Sequence, residues 1–280
     1  MIINFLIIIQ VEMMKRLSLK ELQETEIQIM KALDKFCREN RIEYSLGAGS
    51  MIGAVRHGGF IPWDDDIDVF MLRKEYNKLI SAAKKNPYFM GENYKLFFPN
   101  ENGYYYPFIK IVDTSTKIIE RNMRQISDMG VWIDIFPIDY ICDDEEQAIE
   151  ESKRCVEART KIIKANTHRN YGKLKSKLIN LLYIGYRIAN YKETKKTQKF
   201  VQRFSENGYK QFAGTICWAM NIYDCYPSKC FNEYMDVKFE NETFKIFTDY
   251  DTILSHRYGN YMELPPREKR IGHEPLAYIK

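Results

Sequence analysis

The sequence predicts an α+β fold: a mixed α/β core with helices around a largely mixed or antiparallel sheet, completed by a helical portion. Three observations point there. The early chain alternates helix, strand, helix, strand. The middle is a run of short apolar and aromatic segments separated by Asn, Gly, Asp or Ser. From Asp143 to about Asn207 the pattern turns to the helical period. The 280 residues suffice for one large or two modest domains. With 45% hydrophobic and 29% charged residues the composition is that of a globular chain and excludes a disordered one.

In order, "SLKE" from Ser18 is a capping box with Glu21, and Leu19, Leu22, Ile29, Met30, Leu33, Phe36 and Cys37 continue it as an amphipathic helix to near Asn40. Ile42–Leu46 predicts a short strand, Gly47 and Gly49 a turn, and Ser50 the cap of a second helix to about Val55. "DIDVFM" predicts a strand and "RKEYNKLISAAKK" a helix closed by Pro87. "YKLFF", "YYYPFIKIVD", "TKIIE" and "VWIDIF" predict the middle strands. The end reads as a hairpin, a short helix and a stop at Pro265 and Pro266. The expected organisation is an N-terminal extension over 1–16, a catalytic core over 17–140, a basic helical region over 141–210, and a segment over 211–280 that completes the catalytic domain.

The net charge of +4 hides a segregation. Between Arg159 and Arg203 stand thirteen Lys and Arg and one acid, Glu193. Such a stretch suits an anionic partner, or the solvated face of a packed helix. The segment 173–203 is a candidate for peripheral contact with a membrane surface, with Lys173, Lys177 and Arg187 edging an apolar face. The helix packed on the core with a basic outer face is the favoured reading. No base-reading motif accompanies the charge, so no nucleic-acid partner is expected. Six cysteines show no C-x-x-C spacing and read as reduced packing residues. The apolar N-terminal run is too short to span a bilayer and lacks a basic leader. It is taken as sequence upstream of a start at Met13 or Met14, with a weak surface anchor as the alternative. A cytoplasmic protein, peripheral at most, is expected.

The chemistry is concentrated in "GAGSMIGAVRHGGFIPWDDDIDVF". Four acids fall within five residues, Asp64, Asp65, Asp66 and Asp68. On a strand Asp66 and Asp68 share one face and Ile67 and Val69 the other, with Asp64 joining the acidic row if the chain is already extended there. Unpaired carboxylates are expensive to bury, so a cation is expected. Two such carboxylates suit Mg²⁺, with Mn²⁺ the substitute, as in phosphoryl transfer. Asp134, alone among apolar neighbours in "VWIDIF", requires a metal or another cation facing it. Asp139, past Pro137, reads as a turn residue, and Asp65 as facing away. Upstream, Gly49 and Ser50 at a strand–turn–helix junction suit a phosphate. Arg56 and His57 on the intervening segment are candidate phosphate donors, His57 equally a solvated loop residue. An EF-hand reading of Asp64, Asp66, Asp68 and Glu75 fails at its sixth position, where Val69 replaces the glycine of the sharp turn.

"GSMIGAVRHGGFIPWDDDIDVFMLRKEY" closely resembles the signature of the LicD family, which includes phosphocholine transferases of bacterial surface glycans. The resemblance extends to "LKELQETEIQIMKALDKFCRENRIEYSLGAGS", "FIKIVDTSTKIIE", "VWIDIFPID" and "YGNYMELPPREKRIGHEP", with residues 152–226 matched only loosely. It implies a nucleotidyltransferase (polymerase-β-like) core in which Gly49, Ser50, Asp66, Asp68 and Asp134 match the motif positions and Asp64 the extra acid. "GAGS" departs from relatives that carry threonine there, though a hydroxyl remains. The resemblance implies a CDP-activated donor such as CDP-choline, a glycan acceptor that is lipid-linked in some settings, and release of CMP. Asp64, Asp66, Asp68 and Asp134 are then the expected metal ligands, with Asp134 alternatively the base and Arg56 stabilising the transition state. Lys110, Arg270 and His273 are candidate phosphate or acceptor contacts, or else surface ion pairs. Trp132, Tyr104, Tyr105, Tyr106, Tyr258 and Tyr261 are available to a quaternary ammonium. The same site would serve a nucleotidyltransferase that moves NMP, and an Asp-x-Asp glycosyltransferase or a non-enzymatic binding module are the further alternatives.

Overall fold

In a computed structural model of the chain the described residues are 14–101, 103–120, 122–167, 175–272 and 275–280, the side chains of 175–187 excepted. The N-terminal apolar run to residue 13, His273 and residues 168–174 of the basic stretch therefore lie outside them.

The first strand, β1, is Lys15–Arg16. Helix α1 (Leu19–Asn40) starts on the expected capping box: the Ser18 side chain accepts from the Glu21 amide and the Glu21 carboxylate receives the Ser18 amide. Its buried stripe is Leu22, Glu26, Ile29, Met30, Leu33 and Cys37, and it packs on the sheet described below. The expected strand over Ile42–Leu46 shrinks to β2 (Ser45–Leu46).

Helix α2 (Ala48–Ile52) runs on as a π-helical turn, Gly53–His57. Ser50 is not its cap. Gly47 holds that position, and Ser50 sits inside the helix, where its Oγ accepts from the Asp68 amide at 2.9 Å. The acid-bearing strand, β3, is Asp68–Leu72, and α3 is Arg73–Lys85.

Strands β4 (Tyr94–Phe97), β5 (Ile109–Asp113), β6 (Thr116–Ile119) and β7 (Trp132–Tyr140) follow. The stretch Tyr104–Phe108, expected to be strand, is not. Pro107 interrupts it, and side chains serve its backbone instead of a ladder: Gln198 Nε2 donates to the Tyr105 carbonyl at 2.8 Å.

The two helices of the basic region are α4 (Glu145–Asn166) and α5 (Lys175–Gln202), packed on each other. In the described part of α5, Thr194, Thr197, Gln198 and Val201 are buried; of the apolar face expected earlier in this helix, Ile188 is exposed and the remaining side chains lie outside the described ones. The chain closes with β8 (Phe212–Gly214), β9 (Tyr226–Pro227), the hairpin β10 (Tyr234–Phe239) and β11 (Glu242–Phe247), α6 (Tyr250–Tyr258) and β12 (Leu276–Ile279).

The main sheet has the order β2-β3-β7-β5-β4, with β8 and β9 added on β7. Only β3 and β7 pair in parallel; the other ladders are antiparallel. A second sheet is β1-β12-β6. The result is a mixed α+β architecture, as the sequence predicts. All six cysteines are buried free thiols. Among the described residues no helix is long and apolar enough to cross a membrane.

Asp139 is a correction. It is no turn residue but lies fully buried in β7, which continues through Pro137 to Tyr140. On one edge of β7 the ladder to β5 covers 132–135 and that to β8 covers 139–140, so Pro137 falls in the gap between them. Arg73 grips Asp139 with two bonds, Nε and Nη2 each at 2.6 Å from a carboxylate oxygen. Breaking a buried pair strands the other charge, at a cost of about 3–5 kcal/mol. Asp139→Ala is therefore expected to lower the unfolding free energy by that order in a denaturant titration; a change within about 0.5 kcal/mol, typical of exposed sites, contradicts the assignment.

Candidate active site

The site grows from one register. In the parallel ladder Asp68 is opposite Asp134, and in the neighbouring antiparallel ladder Asp134 is opposite Lys110. Opposed residues share a face, so β3, β7 and β5 present the row Asp68–Asp134–Lys110. Val69, Ile133, Ile135, Ile109 and Ile111, one step along, are fully buried on the other face. Two steps along, Phe70, Phe136, Phe108 and Trp132 flank the row, with Phe108 and Phe136 ring centroids 4.3 Å apart. Ser50 holds the start of β3 through its bond to the Asp68 amide.

The row and its flanking aromatics line a cavity of about 490 Å³, a size ordinary for a small-molecule site. Gly49, Asp64, Asp65 and Asp66 line it too. Gly49 permits a close approach: a Cβ there would stand 2.8 Å from Asp64 Oδ2. Asp65 does not face away as expected. It is 6% exposed, on the cavity wall, and packs so closely on Gly272 that a Cβ at that position would lie 3.2 Å from its carboxylate.

The acids raise one another's proton affinity. Burial, then Asp66, Asp134 and Asp64, lift the Asp68 carboxyl well above the usual carboxylate range, with Arg257 opposing. Burial pushes Asp134 up to about 6 against the pull of Lys110. The cation that Asp134 requires is thus Lys110: the ammonium donates to Asp134 Oδ1. That ammonium is nearly fully buried and lies 4.2 Å from the Trp132 ring centroid and 4.6 Å from that of Tyr106.

The other expected phosphate donors stand elsewhere. Arg56 donates from Nε to His57 Nε2 at 2.9 Å and from Nη1 to the carbonyl oxygens of Tyr261 and Glu263. Arg270 donates to the Pro265 carbonyl and lies over the Trp63 ring. Arg56, His57 and Arg270 are not among the cavity-lining residues. Ser50 is not either, since its hydroxyl serves β3. His273 lies outside the described residues. Of the expected aromatics, Trp132, Tyr106 and Tyr258 line the cavity; Tyr104, Tyr105 and Tyr261 do not.

Four charged residues that sequence reasoning missed line the same cavity: Glu26, Glu120, Arg159 and Arg257. Glu26 is 3% exposed, and its Oε2 has no hydrogen-bond partner. Burial, followed by Asp66, Asp65, Asp64 and Asp134, holds its carboxyl well above the usual carboxylate range. Its signal was in the sequence: Glu26 interrupts the apolar stripe of α1 between Leu22 and Ile29. Tyr106 donates to Glu120 at 2.6 Å. Arg257 pairs with the fully buried Asp224 at 3.1 Å. Nothing in the spacing around Arg159 or Arg257 marks either one.

If Lys110 is what answers the charge of Asp134, Lys110→Met strands a carboxylate and costs about 3–5 kcal/mol. Adding Asp134→Asn is expected to restore most of that loss. A double-mutant cycle by chemical denaturation measures it, and additive losses contradict the pairing.

Residues 41–150 match the family model described as LicD/FKTN/FKRP, nucleotidyltransferase domain. They include Gly49, the acids Asp64 to Asp68, Lys110 and Asp134, but not Arg159 or Arg257. The lipopolysaccharide cholinephosphotransferase LicD of Haemophilus influenzae is 28% identical over 276 residues, covering 95% of this chain and 100% of that protein. Uncharacterized proteins of Rickettsia prowazekii and Rickettsia typhi are each 40% identical over 48 residues, 17% of this chain and 18% and 16% of theirs. The chain thus resembles the LicD family over residues 41–150 and a LicD cholinephosphotransferase along nearly its whole length.

Proposed function

We propose that the protein is a transferase that moves phosphocholine from CDP-choline to a sugar hydroxyl of a bacterial surface glycan and releases CMP. The observation that carries this reading is a single cavity lined by a cluster of carboxylates, by Lys110, Arg159 and Arg257, and by aromatic rings. The end-to-end similarity to a cholinephosphotransferase supports the choice of group and acceptor.

Mg²⁺ would be held by Asp66 and Asp68 with help from Asp64. The donor set fits: it is all oxygen, which hard cations prefer. Among the described residues no three His, Cys, Asp or Glu side chains form a ready cage. Mg²⁺ is commonly held by a few carboxylates together with substrate phosphates. Bound there, the ion would neutralise charge on the reacting phosphates.

In the transfer, the sugar oxygen forms a bond to the phosphorus that carries choline. The bond from that phosphorus to the CMP oxygen breaks, and its electron pair leaves with CMP. Asp134, set in the row beside Asp68 and steadied by Lys110, is the group assigned to accept the hydroxyl proton. Tyr106, Trp132 and Tyr258 offer ring faces to the trimethylammonium group, and Glu120 adds a negative charge beside Tyr106. A lipid-linked acceptor would bring the protein to the inner face of the cell membrane, with the basic stretch 173–203 as the contacting surface.

The test follows CMP in a mixture of purified protein, CDP-choline, Mg²⁺ and a glycan acceptor. CMP is expected, and a chelator is expected to stop its release. Asp66→Ala or Asp68→Ala is expected to lower turnover by about a thousandfold while leaving the fold intact. No CMP from CDP linked to choline, ethanolamine, ribitol or glycerol refutes the reading. Release of pyrophosphate, or a nucleotidylated acceptor, favours NMP transfer instead.

A further inference from the structure

Three cations line the cavity, and two have a carboxylate. Lys110 has Asp134, and Arg257 has Asp224. Asp224 is further committed, since its Oδ2 accepts the amides of Met220 and Asn221. The third cation is Arg159, on α4. Among the described residues no hydrogen bond or ion pair reaches its guanidinium, and its Nε is buried without a partner. The group lies 5.1 Å from the Trp218 ring centroid, itself on the cavity wall. Burial and then the repulsion of Arg257 work against its charge, with Asp224, already paired to Arg257, opposing them. A half-buried guanidinium beside a second one, with no anion of its own, is costly unless a ligand supplies the anion.

The ligand's chemistry follows from the geometry of the donors. A guanidinium is a planar fork matched to phosphate oxygens, and two of them line this cavity. A dianionic diphosphate answers both. We propose that Arg159, with Arg257, forms the subsite for the phosphates of the donor's nucleotide, and that Arg159 sets the preference for nucleoside diphosphate over nucleoside. Trp218 holds the Arg159 side chain flat against the wall. Arg159 lies beyond residues 41–150, so the helical region contributes a binding residue to a cavity otherwise built largely by the matched domain. The proposal rests on reading the cavity as a nucleotide site.

The experiment measures binding rather than turnover, by calorimetry or by the fluorescence of the cavity tryptophans, with Mg²⁺ present and CDP, CMP and cytidine as probes. Arg159→Met keeps the stem against Trp218 and removes the charge; Arg159→Lys keeps the charge and loses the fork. The wild type is expected to bind CDP more tightly than CMP, and CMP more tightly than cytidine. Arg159→Met is expected to weaken CDP by about ten- to a hundredfold, the size of a charged hydrogen bond, and to leave cytidine unchanged. Arg159→Lys is expected to recover part of the loss. The proposal is overturned if CDP binds Arg159→Met within about twofold of the wild type, or if the wild type binds CDP no better than cytidine. Failure of the two readings is separable. CDP binding that depends on Arg159, without CMP release from any CDP donor, sinks only the transfer reaction. Transfer with CDP binding indifferent to Arg159 sinks only the subsite.

Discussion

The parallel ladder between β3 and β7 is the constraint on which the site depends. It sets Asp68 beside Asp134 on adjacent strands, and the antiparallel ladder to β5 adds Lys110 to the same row. A slip of one residue in either ladder would turn that row into the apolar layer and bring Val69, Ile135 or Ile111 to the cavity. Much of the surrounding structure secures this register. Ser50 ties the first amide of β3 to α2. The Ile67 carbonyl accepts the Asp134 amide, which extends the pairing one step before the strand begins. Arg73, at the start of α3, locks the far end of β7 through Asp139.

The second feature is the division of charge. Glu26, Asp64, Asp65, Asp66 and Asp68 gather where α1, α2 and the approach to β3 meet. Lys110, Arg159 and Arg257 come from β5, α4 and α6. Like charges in a poorly hydrated site raise the free energy of the empty protein. The protein offsets part of this internally, by raising the proton affinity of Glu26 and by giving Asp134 and Asp224 their cations. What remains is acid at Asp68 and base at Arg159. A metal–diphosphate complex is complementary to that remainder, with its cation toward the acids and its phosphate oxygens toward the guanidinium.

Much of this was legible in the chain and some was not, for physical reasons. The capping box of α1 and the alternation in "DIDVF" are local patterns, and both appear in the structure where the sequence puts them. The argument that Asp134 requires a cation rested on burial alone and was sound. Its partner, twenty-four residues earlier, was named but given another role, because a cross-strand pair depends on register. Arg56, His57 and Arg270 are close to the acids in sequence or motif, yet backbone carbonyls and the Trp63 face take up two of their guanidinium groups. Asp139 was read as a turn because Pro137 precedes it; the strand passes through that proline where one edge lacks a partner. Arg159 and Arg257 reach the cavity from helices far along the chain, and only the packing of α4 and α6 brings them there.

The account's central claim is that the row divides its labour: Asp68 serves a divalent cation, while Asp134 is committed to Lys110. The most direct measurement is Mn²⁺ binding, read by electron paramagnetic resonance, in the wild type, Asp68→Asn and Asp134→Asn. The account predicts that the Asp68 variant loses Mn²⁺ by an order of magnitude or more, roughly a lost charged contact, whereas the Asp134 variant keeps it. Mn²⁺ affinity that survives in Asp68→Asn, or falls equally in both variants, would contradict it.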